Sequence, residues 1–159
     1  MKVIYPGTFD PITYGHLDLI ERACRIFSYV LVGVAVNPQK RPLFSIEERV
    51  EMVKEVTRGF PKVEVEAFNG LLVDFARKKG IKIILRGVRA ISDFEYEFQM
   101  ALSNRKLAPE IETVFMMPKE NYSFLSSKII KEAASLGADL KEFVPPLVEK
   151  RLKEKLWKR

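Results

Sequence analysis

Between positions 29 and 36 the chain reads Tyr29-Val30-Leu31-Val32-Gly33-Val34-Ala35-Val36, with no polar residue at alternate positions. A strand that wets one face alternates; one that does not is buried on both faces, as in a parallel sheet covered by helices. Three further short apolar runs, at 2–6, 81–85 and 113–117, read as strands of the same sheet. Val63-Glu64-Val65-Glu66-Ala67-Phe68 does alternate, which places it toward a sheet edge. Helical patterns separate these strands. The expectation is an α/β, doubly wound sheet of five parallel strands with helices on both faces. At 159 residues, 47% of them hydrophobic, one domain over 1–159 is expected.

The helix signals are local. Thr13 precedes a helix whose apolar positions Leu17, Ile20, Cys24 and Phe27 recur at helical spacing. Ser45 with Glu48, and Ser92 with Glu95, form two capping boxes. The second opens a helix to Leu107 with Phe94, Phe98, Ala101 and Leu102 as its predicted core face. Gly80 stops a helix over 71–79. A helix through Ile129, Ile130, Ala133 and Leu136 follows Ser126, and the last is predicted over 147–158.

The chemistry concentrates where strands end. Gly7-Thr8-Phe9-Asp10-Pro11-Ile12-Thr13-Tyr14-Gly15-His16 runs from the first strand through a tight turn into a helix N-terminus. Such an end presents unpartnered amides and the positive pole of the helix dipole, a natural phosphate site. His16 is the sole histidine and sits in that first turn. Lys40 lies in the basic loop Gln39-Lys40-Arg41-Pro42 after the second strand. Arg86 and Arg89 flank Gly87-Val88 after the fourth, and guanidinium forks suit phosphate oxygens. Glu97 could meet a ligand amine or hydroxyl, and the serines before the 127 region could cap a helix or bind phosphate. In a parallel sheet these positions gather along one rim.

Composition narrows the classes. A net charge of +6 fits either a nucleic-acid partner or an anionic small molecule. The basic residues fall at strand ends rather than along one helix face, so a phosphate-rich ligand is favoured and no nucleic-acid partner is expected. No apolar run reaches the roughly 20 residues that cross a bilayer, so no membrane partner is expected either. The first residues read as a strand and not as a secretion signal, making the cytoplasm the expected location. One cysteine, Cys24, rules out an internal disulfide framework.

The Thr-x-Gly-His pattern after Gly-Thr-Phe-Asp-Pro resembles the nucleotidyltransferase superfamily signature. Arg86-Gly87-Val88-Arg89-Ala90-Ile91-Ser92-Asp93-Phe94-Glu95-Tyr96-Glu97 and Tyr122-Ser123-Phe124-Leu125-Ser126-Ser127-Lys128 are similar to two further signatures of the bacterial phosphopantetheine adenylyltransferases. That resemblance implies a Rossmann-like fold, usually assembled as a homohexamer. It also implies Mg²⁺-dependent transfer of the adenylyl group of ATP to 4′-phosphopantetheine, giving 3′-dephospho-CoA and pyrophosphate by direct in-line attack. By the same resemblance His16, Lys40 and Arg89 are catalytic, and Thr8, Lys40, Leu72 and Arg86 bind phosphopantetheine. Thr8, Phe9, His16, Gly87, Val88, Arg89, Glu97, Tyr122, Ser123, Phe124, Leu125, Ser126, Ser127 and Lys128 border ATP. Lys128 departs from the small hydroxyl residue common in relatives. No carboxylate cluster stands out, so Mg²⁺ is expected on phosphates and water. CoA, sharing the pantetheine arm, is a possible feedback inhibitor. The alternatives are a nicotinamide-nucleotide adenylyltransferase, a cytidylyltransferase and a non-catalytic ATP-binding regulator.

Overall fold

The computed structural model describes residues 1–157, with the side chains of Ile91 and Ser92 left aside. Five strands, β1 (Lys2–Gly7), β2 (Tyr29–Ala35), β3 (Val63–Phe68), β4 (Ile83–Gly87) and β5 (Glu112–Met116), form one sheet in the order β3-β2-β1-β4-β5. Every pairing is parallel. The alternating strand β3 lies at an edge and the uniformly apolar β2 lies inside, as their patterns require. β4 starts two residues later than predicted and continues through Arg86 and Gly87, which pair with Phe115 and Met116.

The helices are α1 (Tyr14–Ile26), α2 (Ile46–Val56), α3 (Leu72–Lys79), α4 (Ile91–Leu107), α5 (Ser127–Ser135) and α6 (Pro146–Leu156). The predicted end of the last one at Lys158 lies outside the described residues. Residues alternate between two cores across the sheet. Val3, Tyr5, Val30, Val32 and Val34 face a core shared with Leu19, Ile20, Met52, Ile130 and Leu152. Ile4, Leu31 and Ile84 face a second, smaller one with Val73, Phe75 and Ala76 of α3. Consecutive strands run outward from β1 in both directions, so the chain switches direction between β1 and β4. Ligands of open α/β sheets sit at that switch, beyond the strand carboxyl ends.

Four details differ from expectation. On α1 the fully buried stripe is Leu19, Ile20 and Ala23, with Leu17 and Cys24 at its margin. On α5 Ile130 and Ala134 are buried while Ile129, and Leu136 just past its end, face out. α4 begins after Ala90, which offers no capping side chain, so the capping box at Ser92 does not form the N-terminus. Instead the Asp93 carboxylate accepts from the Arg89 N–H at 3.3 Å. The predicted core face of α4 is also turned outward: Phe94, Phe98 and Leu102 are 44%, 46% and 46% exposed.

Candidate active site

A cavity of about 580 Å³ opens at the carboxyl ends of β1 and β4. Its first wall is the turn after β1. Phe9 adopts φ 49, a left-handed backbone that a bulky residue rarely takes. The turn brings the Phe9 ring back over Gly7, where an added Cβ would lie 2.9 Å from it. The ring is 2% exposed and packs edge-on against His16, centroids 4.9 Å apart, and against Tyr5 at 5.4 Å. Phe9 therefore acts on the cavity mainly by fixing the imidazole.

His16 also completes a cap. The Thr13 hydroxyl accepts from the His16 N–H at 3.3 Å, and the Thr13 N–H donates to His16 Nδ1 at 3.0 Å. Histidine thus stands where a capping box usually carries Glu or Gln. An amide can only donate, so Nδ1 is the acceptor and the neutral ring carries its proton on Nε2. Burial, then Arg89, then Arg86 push the His16 pKa down to about 4. At neutral pH the site presents an uncharged Nε2–H donor. Burial likewise holds the Tyr5 phenol above its ordinary range, so it stays protonated.

The opposite wall is cationic. Arg86 Nε and Nη2 donate to Glu97 Oε2 and Oε1 at 2.7 and 2.6 Å, and Nη1 donates to the Pro6 carbonyl at 3.2 Å. Both Glu97 oxygens accept from Arg86, so the carboxylate fixes the guanidinium at the cavity wall. Arg89 donates from Nη1 to the Leu125 carbonyl at 2.6 Å and from Nε to Asp93 at 3.1 Å. It joins β4, α4 and the 122–126 segment. A Cβ at Gly87 would lie 2.6 Å from Leu19 Cδ1, so any larger residue there would have to displace the buried Leu19 side chain.

The third wall is the start of α5. The serine hydroxyls have protein partners: Ser123 donates to the Glu120 carbonyl, Ser127 donates to the Pro11 carbonyl at 2.8 Å, and Ser126 accepts from the Ile129 amide as the α5 cap. The segment offers an anion the first-turn amides of α5, the Ser126 hydroxyl and the Lys128 ammonium.

Of the residues singled out from sequence, Thr8, Phe9, His16, Lys40, Arg86, Gly87, Arg89, Tyr122, Leu125, Ser126, Ser127 and Lys128 line this cavity. Leu72 and Glu97 line instead a smaller adjoining one of about 80 Å³, which Arg86 shares. Val88, Ser123 and Phe124 line neither; Phe124 packs on Phe143. Lys40 does not sit in a plain loop but closes a 3₁₀ turn, Pro38–Lys40.

Sequence reasoning missed three supporting residues, Asp10, Lys131 and Arg49. Asp10, 4% exposed, accepts from the Leu43 and Phe44 amides at 2.9 and 3.0 Å and from Lys131 Nζ at 2.8 Å. Arg49 is buried beneath the Thr8 turn, donating to its carbonyl at 2.8 Å. Its position on the same helical stripe as Ile46 and Val53 was the available signal.

The cytidylyltransferase-like family matches residues 4–133. A phosphopantetheine adenylyltransferase from Caldanaerobacter subterraneus subsp. tengcongensis is 55% identical over 155 residues, covering 98% of this chain and 97% of that protein. One from Hahella chejuensis is 57% identical over 152 residues, covering 96% and 94%. In solved structures, the fold resembles a putative nicotinate-nucleotide adenylyltransferase from Vibrio parahaemolyticus, with TM-score 0.72, 17% identity, and 96% and 91% of the two chains covered. It also resembles a bifunctional NMN adenylyltransferase/ADP ribose pyrophosphatase from Francisella tularensis, with TM-score 0.75, 16% identity, and 99% of this chain and 50% of that one covered.

Proposed function

The chain belongs to the phosphopantetheine adenylyltransferases of the cytidylyltransferase-like family, and on that premise we propose how its cavity carries out adenylyl transfer. The substrates are ATP and 4′-phosphopantetheine. A phosphate oxygen of phosphopantetheine attacks the α-phosphorus of ATP. The bond from that phosphorus to the bridging oxygen breaks, and pyrophosphate leaves with the electron pair. The nucleophile is already ionised at neutral pH, so the site needs no general base. It needs positioning and charge stabilisation.

The single observation that carries this reading is His16. Its Nε2–H, fixed by the Thr13 amide on the far side of the ring, points a neutral donor where phosphate charge builds. Arg89, Lys128 and the α5 amides hold the triphosphate. Lys40, Thr8 and Arg86 hold the incoming phosphate. The backbone of Leu72, beside the smaller cavity, meets the pantetheine arm, and Tyr122, Leu125 and Gly87 border the nucleotide.

Mg²⁺ fits this donor set as a passenger of the triphosphate. Asp10, the one carboxylate of the cavity wall among the described residues, has both oxygens engaged. Among the described residues no group of three His, Cys, Asp or Glu side chains is placed to hold a metal. When bound, the ion neutralises charge on the leaving pyrophosphate.

The exposed face of α4 supports a homohexamer. Phe94 stacks on Phe98 at 5.6 Å and meets Phe115 of the edge strand β5 at 6.0 Å, a continuous apolar surface open to water. CoA, which carries the pantetheine arm, would compete for the same subsite as an inhibitor. No helix of the described residues is long and apolar enough to cross a membrane, and the cytoplasm is the proposed location.

A substrate panel tests the assignment. ATP with phosphopantetheine should release pyrophosphate; ATP with nicotinamide mononucleotide, or CTP with an alcohol phosphate, should not. Turnover of either alternative pair above the phosphopantetheine rate would overturn it.

A further inference from the structure

Arg49 is 1% exposed, yet no carboxylate hydrogen-bonds to it among the described residues. Its guanidinium donates to four main-chain carbonyls. Nε reaches Phe44 O at 3.2 Å, Nη1 reaches Thr8 O at 2.8 Å and Ala35 O at 2.7 Å, and Nη2 reaches Val36 O at 3.2 Å. Those partners are not scattered. Val36 and Phe44 are the two ends of the segment that carries Lys40, and Thr8 is the neighbouring phosphate-site residue. Between those ends Asn37 and Arg41 have φ 36 and 47, so the segment turns sharply on either side of its 3₁₀ turn. The Lys40 side chain itself is exposed. Its placement therefore depends on the anchors beneath it. Asp10 grips the same segment through the Leu43 and Phe44 amides.

Burying a charge whose partners are neutral carbonyls costs free energy, and an apolar side chain of similar volume would fill the space more favourably. An arginine here contributes geometry: one rigid planar fork spans the ends of β1 and β2 and the entry to α2. Resting on the reading that Thr8 and Lys40 hold the phosphate of 4′-phosphopantetheine, we infer that Arg49 is the positioning residue for the nucleophile, fixing Lys40 relative to Thr8 through their backbones. Arg49 does not touch substrate in this arrangement. Lysine would keep the charge but, as a compact ammonium, could not span the same four carbonyls.

The test is a double-mutant cycle with Arg49→Lys and Lys40→Ala, read by pyrophosphate release with each substrate varied in turn. Arg49→Lys should lower kcat/KM for phosphopantetheine by about 10- to 100-fold, the scale of an ångström-level misplacement. KM for ATP should stay within about twofold. In the Lys40→Ala background most of the Arg49→Lys effect should vanish, because its client is gone. Equal losses in both backgrounds, or a fall in kcat that tracks the folded fraction by circular dichroism with both KM values unchanged, would overturn the inference. Should Arg49→Lys fail to fold, Asp10→Asn loosens the same segment from its other side. It should raise KM for phosphopantetheine selectively and lose that effect without Lys40; parallel changes in both KM values would refute the anchoring role. A wild-type enzyme with no phosphopantetheine-dependent release would instead overturn the proposed function itself, and the inference with it.

Discussion

The sole histidine makes its own protonation directly observable. The ring's pKa falls from an ordinary 6.5 to about 4, through burial first and then the two arginines. Because the folded-state value lies below the unfolded one, the unfolded chain takes up the proton first on acidification. The contribution to stability is complete above about pH 7 and is lost as pH falls from 6.5 toward 4. The shift corresponds to about 3–4 kcal/mol in all, at about 1.4 kcal/mol per pH unit. Two measurements check it. The imidazole carbon–proton resonance, titrated by NMR between pH 3.5 and 8, should show its midpoint near 4 and no inflection near 6.5. Urea denaturation at pH 7, 6 and 5 should show stability falling with pH over that range. Arg89→Gln should raise the midpoint only partway, since burial is the larger cause. Bound ATP should raise it too, because a polyanion beside the ring favours the imidazolium. A midpoint between 6 and 7 in the free protein would refute the neutral donor.

Two further perturbations follow from the cationic wall and the outer helix. Arg86→Lys breaks the bidentate contact to Glu97 and leaves that carboxylate, 9% exposed, without its fork; stability should fall by about 2–3 kcal/mol. KM for phosphopantetheine should rise, as measured by denaturation and steady-state kinetics. Phe94→Ser with Phe98→Ser removes the stacked pair on α4, and if the proposed homohexamer forms through that face, light scattering should show smaller species than the wild type with the fold retained.

The inner architecture was legible because it rests on patterns with one physical meaning. β2 without alternation can be satisfied only inside a two-sided sheet, and β3 with alternation only where one face is wetter. The motif from Gly7 to His16 was equally plain, since a strand, a tight turn and a helix N-terminus dictate where amides point. α4 was misread for a physical reason: Phe94, Phe98 and Leu102 repeat at the spacing of a core face, and periodicity cannot tell a face packed inside one chain from a face left outside it. Arg49 was overlooked because an arginine in an amphipathic helix is usually at the surface, although its place between Ile46 and Val53 put it on the inner stripe. The serines before α5 are ambiguous in sequence; their capping and bracing partners, Glu120, Ile129 and Pro11, are visible only in the fold.

The most direct test compares wild type and His16→Ala in pyrophosphate release from ATP and 4′-phosphopantetheine with Mg²⁺. The account predicts release that requires phosphopantetheine and falls by about 10²- to 10³-fold in the variant, the cost of removing one preorganised donor, with KM for ATP changing far less. A variant that turns over at the wild-type rate, or release that proceeds without phosphopantetheine, would contradict it.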